Sequence, residues 1–276
     1  MFAQRNVGAY QVTVLSDGIF EASTKVLRHG AGERATEQLV TSWPEPSFRV
    51  DVNCFLIRGR ETVTLIDAGT GSAWGDKLGK AQAALEAAGV TPDSVDQVLL
   101  THLHGDHALG LMHNGAAWLQ RAKIFVPEHD YARYWNTSGT ISLSPHAQPK
   151  TLALAAQLQE LYGDRVSPLS MGAIADLPGI HAKALPGHTA GHTGYILDSA
   201  AEPLIIFGDA MHMPERQAID PEAATIFDED FDLAVATRRA LMDEADHGNY
   251  LAIGSHTSGF GRFKSDGATW RWEQYD

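Results

Sequence analysis

Four side chains that can bind a metal ion fall within six residues, directly after an apolar run of strand length, Gln97–Thr101. The four are His102, His104, Asp106 and His107. In extended backbone alternate side chains share a face, so the first two histidines can converge on one ion. Gly105 then permits a turn that presents the other two side chains to a second ion nearby. This pattern requires a strand that ends at a defined place in a rigid scaffold.

Three further strand-like runs end in the same way, with a residue of ligand type beside glycine. His188 follows His181–Leu185, Asp209 follows Pro203–Phe207, and His256 follows Leu251–Ile253. Loops at strand ends carry functional side chains on a rigid scaffold. With the first four residues they form seven candidate ligands, five imidazoles and two carboxylates, which suit zinc, manganese or iron.

Apolar runs of strand length fall into two blocks that are interrupted by helical patterns. The predicted strands are Gln11–Leu15, Val52–Ile57, Thr62–Ile66, Gln97–Thr101, Lys123–Val126, His181–Leu185, Gly194–Leu197, Pro203–Phe207 and Leu251–Ile253. The predicted helices are Asp76–Ala88, Pro149–Leu161 and Asp230–Ala245. The last has an apolar stripe interrupted by Arg238, whose stem can lie along an apolar surface. This order predicts an α/β (α+β) chain of two packed sheets with outer helices. No linker-like segment interrupts it, so we predict one domain over residues 1–276.

The composition excludes several classes of protein and site. Lys and Arg total 21 against 34 Asp and Glu, and the net charge of −13 argues against nucleic acid or anionic membrane as the main partner. The single cysteine, Cys54, excludes a disulfide framework and a multi-cysteine zinc site. It lies in an apolar run, and no Gly-x-Ser-x-Gly segment occurs, so covalent catalysis is disfavoured. Without a signal-like or membrane-spanning run, we predict a cytoplasmic protein with no membrane partner.

These residues carry a resemblance to a known family. The pattern His102-x-His104-x-Asp106-His107, followed by His188, Asp209 and His256, resembles the metal-binding pattern of the metallo-β-lactamase superfamily. Leu65-Ile66-Asp67-Ala68-Gly69 resembles the Asp-containing turn that precedes this pattern in the family. Within the superfamily, the chain is most similar to methyl parathion hydrolases and related lactonases. That likeness begins at Val12-Thr13-Val14-Leu15-Ser16-Asp17-Gly18 and continues through Gly187-His188-Thr189-x-Gly191-His192-Thr193.

The resemblance implies a four-layer αβ/βα sandwich and a centre with two divalent ions. It implies that His102, His104 and His188 bind one ion, that Asp106, His107 and His256 bind the other, and that Asp209 bridges them. Zinc is the expected metal, with Mn²⁺, Fe²⁺ and Co²⁺ as alternatives. Asp67 is expected to orient a ligand imidazole. The resemblance also implies a small-molecule substrate and a homodimer.

Two such ions can share one water and lower its pKa toward about 7, so that the resulting metal-bridging hydroxide attacks a carbonyl carbon or a phosphorus atom. The resemblance implies that Asp106 orients this hydroxide and later carries its proton. His212 occupies a position at which acyl-homoserine lactonases carry a tyrosine, and we predict that it binds the substrate or protonates a leaving alkoxide. Trp135 resembles an aromatic that walls the pocket of methyl parathion hydrolases. His192 lies outside the ligand set, and we expect it to act as a hydrogen-bonding strut.

We therefore predict a dinuclear metal-dependent hydrolase that opens lactones or cleaves aryl esters, with organophosphate triester hydrolysis as an accompanying activity. The alternatives are phosphotriester hydrolysis as the main activity, a sulfur dioxygenase with one iron, and a protein of the same fold that binds a ligand without turnover. The complete set of seven donors disfavours the last alternative. The aromatic-containing insert after His107 disfavours β-lactam and thioester hydrolysis.

Overall fold

Strands and helices alternate through the described residues, 3–135 and 148–275, of the computed structural model. In chain order the strands are Gln4–Val7 (β1), Tyr10–Ser23 (β2), Leu27–His29 (β3), Ser47–Gly59 (β4), Thr62–Ile66 (β5), Gln97–Leu99 (β6), Met112–His113 (β7), Ala116–Ala117 (β8), Lys123–Pro127 (β9), Val166–Leu169 (β10), Gly172–Ala173 (β11), Ile180–Ala184 (β12), Thr193–Leu197 (β13), Leu204–Ile206 (β14), Ala223–Thr225 (β15), Leu251–Ile253 (β16), Gly261–Ser265 (β17) and Trp270–Gln274 (β18). The α-helices are Glu33–Thr41 (α1), Ala81–Ala87 (α2), Gly105–Ala108 (α3), Glu128–Tyr134 (α4), Pro149–Tyr162 (α5), Pro214–Gln217 (α6) and Phe231–His247 (α7).

Two seven-stranded sheets contain most of these strands. The first has the order β1-β2-β4-β5-β6-β9-β10, and its pairs β5–β6, β6–β9 and β9–β10 are parallel. The second has the order β11-β12-β13-β14-β16-β17-β18, in which β14 and β16 form a parallel pair. Two small antiparallel pairs, β3–β15 and β7–β8, lie outside these sheets. Both large sheets are mixed, as the fold class predicted from the sequence requires.

The two sheets pack face to face through side chains that alternate along their strands. In β4, Phe55 and Ile57 belong to the apolar cluster that also contains Tyr195 of the second sheet. Cys54 and Leu56, which alternate with them along the strand, belong to a different cluster, on the helical side. This alternation follows from the two-residue period of a strand. Because β4 is covered on both faces, the residues that point to either face are apolar, and the sequence of the strand reads as a continuous apolar run. Each such buried Phe or Ile contributes about 1.5–3 kcal/mol relative to an exposed one.

The helices cover the outer faces of the two sheets. Leu85 of α2 and Leu158 of α5 pack in the same cluster as the helical side of β4. Leu241 of α7 packs against Ile205 and Phe207 of the second sheet. The resulting order of helix, sheet, sheet and helix confirms the predicted sandwich. None of the described helices combines the length and the apolar character needed to cross a bilayer.

The bounds of most predicted elements shift in the structure, and two of these shifts have a visible cause. Helix α2 begins at Ala81 rather than Asp76, so the predicted start was wrong. Gly79 has a φ of 76°, outside the helical region, and the N–H groups of Gly79 and Ala81 both donate to the buried carboxylate of Asp17. Strand β6 ends at Leu99, before the predicted end, because the chain then leaves the sheet towards the ligand-type residues.

The guanidinium of Arg238 departs from the expectation that only its stem packs against an apolar surface. The whole side chain is buried beneath α7. It donates hydrogen bonds to the carbonyl oxygens of Ala210, Pro221 and Ala223 and to the carboxylate of Asp228. A buried charge is tolerated when it is paired and its donors are used, and both conditions are met here.

Candidate metal centre

Four loops converge at one end of the two sheets. The loop after β6 carries the first four ligand-type residues, and the loop between β12 and β13 carries His188. Asp209 and His256 follow β14 and β16, which are parallel neighbours, so their carboxyl ends lie side by side. A backbone hydrogen bond of 2.8 Å from Thr193 N–H to the Thr101 carbonyl joins the two sheets at this edge.

His102, His104 and His188 form the first ligand group. One ring nitrogen of each lies within 4.8 Å of the corresponding nitrogens of the other two. His104 Nδ1 is 3.0 Å from His188 Nε2. Two nitrogens bound to one tetrahedral zinc at about 2.0–2.1 Å lie about 3.3 Å apart, so the observed spacing suits a shared ion.

Asp106, His107, Asp209 and His256 form the second ligand group, with ligand atoms again within 4.8 Å of one another. Asp209 Oδ2 lies 3.3 Å from His107 Nε2 and 3.0 Å from His256 Nε2. The same oxygen lies 3.4 Å from Nε2 of His188, which belongs to the first group. Asp209 thus lies between the groups, where the resemblance predicts a bridging carboxylate.

The second ring nitrogen of four ligand histidines is held by a partner outside the groups: that of His188 by Asp228, and those of three others as follows. The pairs are His102 with Thr101 Oγ1 at 3.0 Å, His107 with Asp67 Oδ2 at 2.8 Å, and His256 with the Asp51 carbonyl at 2.8 Å. Thr101 itself donates to Asp67, so its oxygen accepts from the His102 ring. A hydrogen on each Nδ1 leaves each Nε2 with a lone pair, as is usual for a metal-bound imidazole. The structure therefore places Asp67 against a ligand imidazole.

Three buried atoms of the two groups have no hydrogen-bond partner among the described residues. They are His102 Nε2, His107 Nε2 and Asp209 Oδ1. A buried polar atom without a partner costs about 1–3 kcal/mol, and these three belong to side chains that converge on one another. Imidazole nitrogens and carboxylate oxygens are the ligands that zinc and related ions prefer. The residues therefore fit divalent metal ions.

The carboxylate of Asp209 dominates the electrostatics of the centre. Burial would raise its pKa, but His107 and His256 hold that pKa well below its usual value. Burial is the largest single effect and lowers the pKa of both histidines, yet the charges of Asp209 and Asp106 and the hydrogen bond to Asp209 together outweigh it and leave each pKa raised. For His102 and His188, burial dominates and lowers the pKa. Neutral imidazole is the form that binds metal, so these two rings are already in the competent state.

His192 lies beside the centre and is hydrogen-bonded to the backbone of two loops. Its Nε2 accepts a hydrogen bond of 2.9 Å from the Asp209 N–H, so its Nδ1 carries the hydrogen that is donated to the Leu185 carbonyl, also at 2.9 Å. Burial lowers the pKa of the ring to about 4, which keeps it neutral. The ring thus links two loops, the arrangement expected of a strut.

Two buried carboxylates near the centre were not predicted from the sequence. Asp130 accepts hydrogen bonds from Leu103 N–H, the Thr189 hydroxyl and Gly191 N–H, which joins the loops that carry the two ligand groups. Asp228 lies 3.1 Å from His188 Nδ1. Each stands in an acidic stretch that is typical of a solvated surface. The one signal in the sequence was the charged Arg238 on an otherwise apolar helical stripe, since a buried arginine requires a buried acid.

A cleft of about 990 Å³ opens over the two ligand groups. Its floor includes Asp106, Asp209 and His256. The described walls are largely apolar and aromatic: Phe20, Phe48, Val50, Trp74, Leu109, Ile226 and Phe227. Such a cavity, with a few polar groups at its base, is typical of a small-molecule site.

His212 lines the same cleft and is only 6% exposed. Its ring stacks on His256, with centroids 5.0 Å apart and an interplanar angle of 19°, and its Nε2 lies 3.6 Å from Asp209 Oδ2. The buried Nδ1 has no hydrogen-bond partner among the described residues. The sequence position that suggested contact with substrate therefore lies beside both ligand groups.

The pocket role predicted for Trp135 needs correction. Its side chain is 2% exposed, stacks on Tyr131 and donates a hydrogen bond to Gln159, within the cluster on the helical side of the first sheet. An aromatic side chain buried this fully contributes to packing rather than to the wall of a cleft. Cys54 is also fully buried, and burial raises the pKa of its thiol, which makes it a poor nucleophile. His146 lies outside the described residues.

Comparison with known proteins places this geometry in a family. The model of the metallo-beta-lactamase superfamily matches residues 48–247, which include three of the four loops, those that carry the ligand-type residues up to Asp209. No functionally curated protein matches the sequence.

Solved structures share the architecture over nearly the whole chain. AbOPH, a hydrolase of the beta-lactamase superfamily, is 25% identical with a TM-score of 0.85, covering 100% of this chain and 97% of its own. AidC, a dizinc quorum-quenching lactonase solved with the product N-hexanoyl-L-homoserine, is 19% identical with a TM-score of 0.83 and the same coverage. A Staphylococcus aureus protein described as a probable metal-dependent hydrolase is 18% identical with a TM-score of 0.76, covering 99% of both chains. The chain belongs to the metallo-beta-lactamase superfamily and is a metal-dependent hydrolase of that fold.

Proposed function

We propose that the protein uses two zinc ions to open lactones that carry an apolar substituent, and that it cleaves aryl esters in the same cleft. The observation that carries the proposal is the position of His212. A largely buried imidazole, whose Nδ1 has no hydrogen-bond partner among the described residues, lies at the base of an apolar cleft, beside both ligand groups. Such a group is suited to bind the oxygen of a bound carbonyl substrate.

The two ligand groups would hold the ions through three imidazoles on one side and through Asp106, His107 and His256 on the other, with Asp209 between them. Ions bound there would supply an activated water and a Lewis acid for the carbonyl oxygen. Asp106 is the ligand carboxylate nearer the solvent, with 16% of its side chain exposed. It lines the cleft and is placed to accept a proton from the attacking water.

Burial lowers the pKa of His212 well below its usual value, so its ring is neutral and one nitrogen carries a hydrogen. A neutral imidazole donates a hydrogen bond to an oxygen on which negative charge develops. Opening of a lactone generates an alkoxide, which gains much from such a donor. An aryl phosphotriester releases a stable phenolate, which gains less. His212 therefore favours lactones over phosphotriesters.

The apolar walls supply the second part of the proposal. Phe20 and Trp74 contact each other across the cleft mouth, with ring centroids 6.3 Å apart, and both are partly exposed. Phe227 is likewise partly exposed and lies near the His212 ring, at 5.9 Å. Exposed aromatic surface of this kind binds apolar groups. The likeness in fold to AidC, which is a lactonase, supports the same substrate class.

A hydrolysis panel with zinc-reconstituted protein tests the substrate class. It includes acyl-homoserine lactones of short and long chain, aromatic lactones, aryl esters, a methyl parathion-type triester and a chromogenic cephalosporin. We expect the highest kcat/KM for lactones with long apolar substituents, then aryl esters, and little turnover of the cephalosporin. A triester that is turned over faster than every lactone would contradict the proposal and favour phosphotriester hydrolysis.

Metal analysis of protein purified without chelator tests the two-ion centre. We expect close to two zinc ions per chain. A single iron would contradict the proposal and support a sulfur dioxygenase. Two zinc ions without turnover of any substrate in the panel would support a protein that binds its ligand without reaction.

A further inference from the structure

Asp228 lies between a ligand histidine and a buried arginine. Its Oδ1 is 3.1 Å from His188 Nδ1, and its Oδ2 is 2.9 Å from Arg238 Nη2. The side chain of Asp228 is 1% exposed and that of Arg238 is 0% exposed. Burying a carboxylate costs several kcal/mol unless it is paired and hydrogen-bonded. Here each oxygen has its own partner, so the carboxylate is held as a charged acceptor.

The orientation of Asp228 is set by the arginine. The guanidinium is planar, and its donors point in fixed directions. Arg238 uses the other donors on three backbone carbonyls, those of Ala210, Pro221 and Ala223. Ala210 and Pro221 precede β15 and Ala223 is its first residue, so the guanidinium is held by the backbone of these segments. Because Arg238 holds Oδ2 of Asp228, the other oxygen, Oδ1, faces the His188 ring.

The carboxylate determines which nitrogen of His188 carries the hydrogen. Nδ1 donates to Asp228, which leaves Nε2 with its lone pair towards the first ligand group. There it lies 3.0 Å from His104 Nδ1 and 3.4 Å from Asp209 Oδ2. Two backbone bonds fasten the same segment to the His188 loop: Glu229 N–H to the His188 carbonyl and Asp230 N–H to the Gly187 carbonyl.

We infer that Arg238 and Asp228 are a positioning pair for His188, and that they set the affinity of the first ligand group for its metal ion. The inference rests on the two-ion centre of the proposed function. Partners of this kind fix the tautomer and the ring orientation of a ligand imidazole. The pair also joins the centre to the cleft, because Asp228 directly follows the cleft-lining Ile226 and Phe227.

Zinc titration of metal-free protein against a chromogenic chelator tests the inference. We expect Asp228→Asn to weaken one of the two zinc-binding steps by about 10–100-fold, with the other step changed little. The matched control is Arg239→Met, because Arg239 is the next residue on α7 and pairs with Glu222 on the surface. The control should bind both ions as the wild type does. Kinetics of the reconstituted variant should show a fall in kcat at saturating zinc.

A second variant separates positioning from simple loss of stability. Asp228→Ala combined with Arg238→Met removes both charges together, so no unpaired charge remains buried. We expect it to show the same weakening of one zinc-binding step. Wild-type affinity for both ions in these variants, with or without a lower free energy of unfolding, overturns the inference and leaves the proposed function untouched. Failure of the wild type itself to bind two zinc ions overturns the proposed function instead.

Discussion

His212 differs from most of the ligand histidines in the partner of its Nδ1. Its Nδ1 has no hydrogen-bond partner among the described residues, whereas the Nδ1 atoms of His102, His107 and His256 are all held from outside the centre. Its backbone is fixed, because the N–H groups of His212 and Met213 both donate to Gln217. A ring that is held in place but not used by the fold is available to a substrate.

His212→Ala should therefore reduce activity without emptying the centre. We expect a loss of about 10²–10⁴-fold in kcat on lactones and a much smaller loss on aryl phosphotriesters, because phenolate needs less stabilisation. The measurement is kcat and KM for both substrate classes at saturating zinc, with zinc content as the control. An equal loss on both classes would remove the proposed role of His212.

Among the structural elements, the loops that carry the ligands are joined by Asp130 at the start of α4. This carboxylate binds Leu103 in one loop and Thr189 and Gly191 in another. Burial raises its pKa from 3.8 to about 6, although the hydrogen bonds from these residues act in the opposite direction. The charged form is thus less favourable in the folded protein than in the unfolded chain.

The sign of the resulting pH dependence follows from this raised pKa. The contribution of Asp130 to stability is complete below about pH 4 and is lost as the pH rises through about 6, a change of at most about 3 kcal/mol. Asp130→Asn does not titrate, so the difference in free energy of unfolding between wild type and variant should be largest near pH 4 and smaller at pH 7. Urea unfolding of the metal-free proteins at several pH values measures it. A difference that does not change with pH would contradict the assignment.

Gly110 determines how closely two loops approach beneath the centre. Its N–H donates to the Gly69 carbonyl at 2.7 Å, and a Cβ at this position would lie 1.8 Å from the Ala68 carbonyl oxygen. Asp67, which precedes Ala68, reaches His107 because the backbones of the two loops are in contact. The small residue is therefore required by the spacing of the two loops.

Gly110→Ala should destabilise the protein by about 3 kcal/mol and weaken zinc binding, because the clash is with backbone and no side chain can move to relieve it. Gly115→Ala is the control: it has a φ of 77° but no atom within 4 Å of the added Cβ, so only about 1–2 kcal/mol of backbone strain is expected. Urea unfolding and zinc titration distinguish the two. Equal effects of both variants would show that the close approach is unimportant.

At the scale of the whole molecule, the centre joins the two sheets, since the first ligand group takes side chains from loops of both. Removal of zinc should therefore destabilise the entire fold. Each ion that binds only the native state adds about 2.7 kcal/mol at a free concentration of 100 times its Kd, so we expect a drop in Tm on the order of 10 °C on chelation. Differential scanning calorimetry before and after chelation measures the change. Added zinc should restore Tm, and added magnesium should not, because Mg²⁺ prefers oxygen ligands. An unchanged Tm would contradict a centre that links the sheets.

The sequence by itself determined the chemistry of the centre and the type of fold. Ligand-type residues beside glycine at strand ends can be recognised locally, because the two-residue period of a strand and the freedom of glycine act over a few residues. The same holds for the apolar runs of β4 and the stripe of α7. Local patterns gave wrong predictions where distant residues determine the structure. The carboxylate of Asp17 binds the backbone at the start of α2, which begins later than predicted, and Trp135 is buried in the interior rather than in the wall of the cleft.

Apart from Asp67 and His192, only the tertiary structure decided which groups support the ligands. Asp130 and Asp228 stand in polar stretches, and their burial depends on partners up to 61 residues away in the sequence, as in the bond from Gly191 to Asp130. The same applies to His212, whose proximity to His256 and to the apolar cleft results from the pairing of β14 with β16. The identity of the ligands can be predicted from short motifs, because the residues at the end of a strand are neighbours in the sequence. The orientation of those ligands depends on hydrogen bonds and burial that exist only when both sheets have packed.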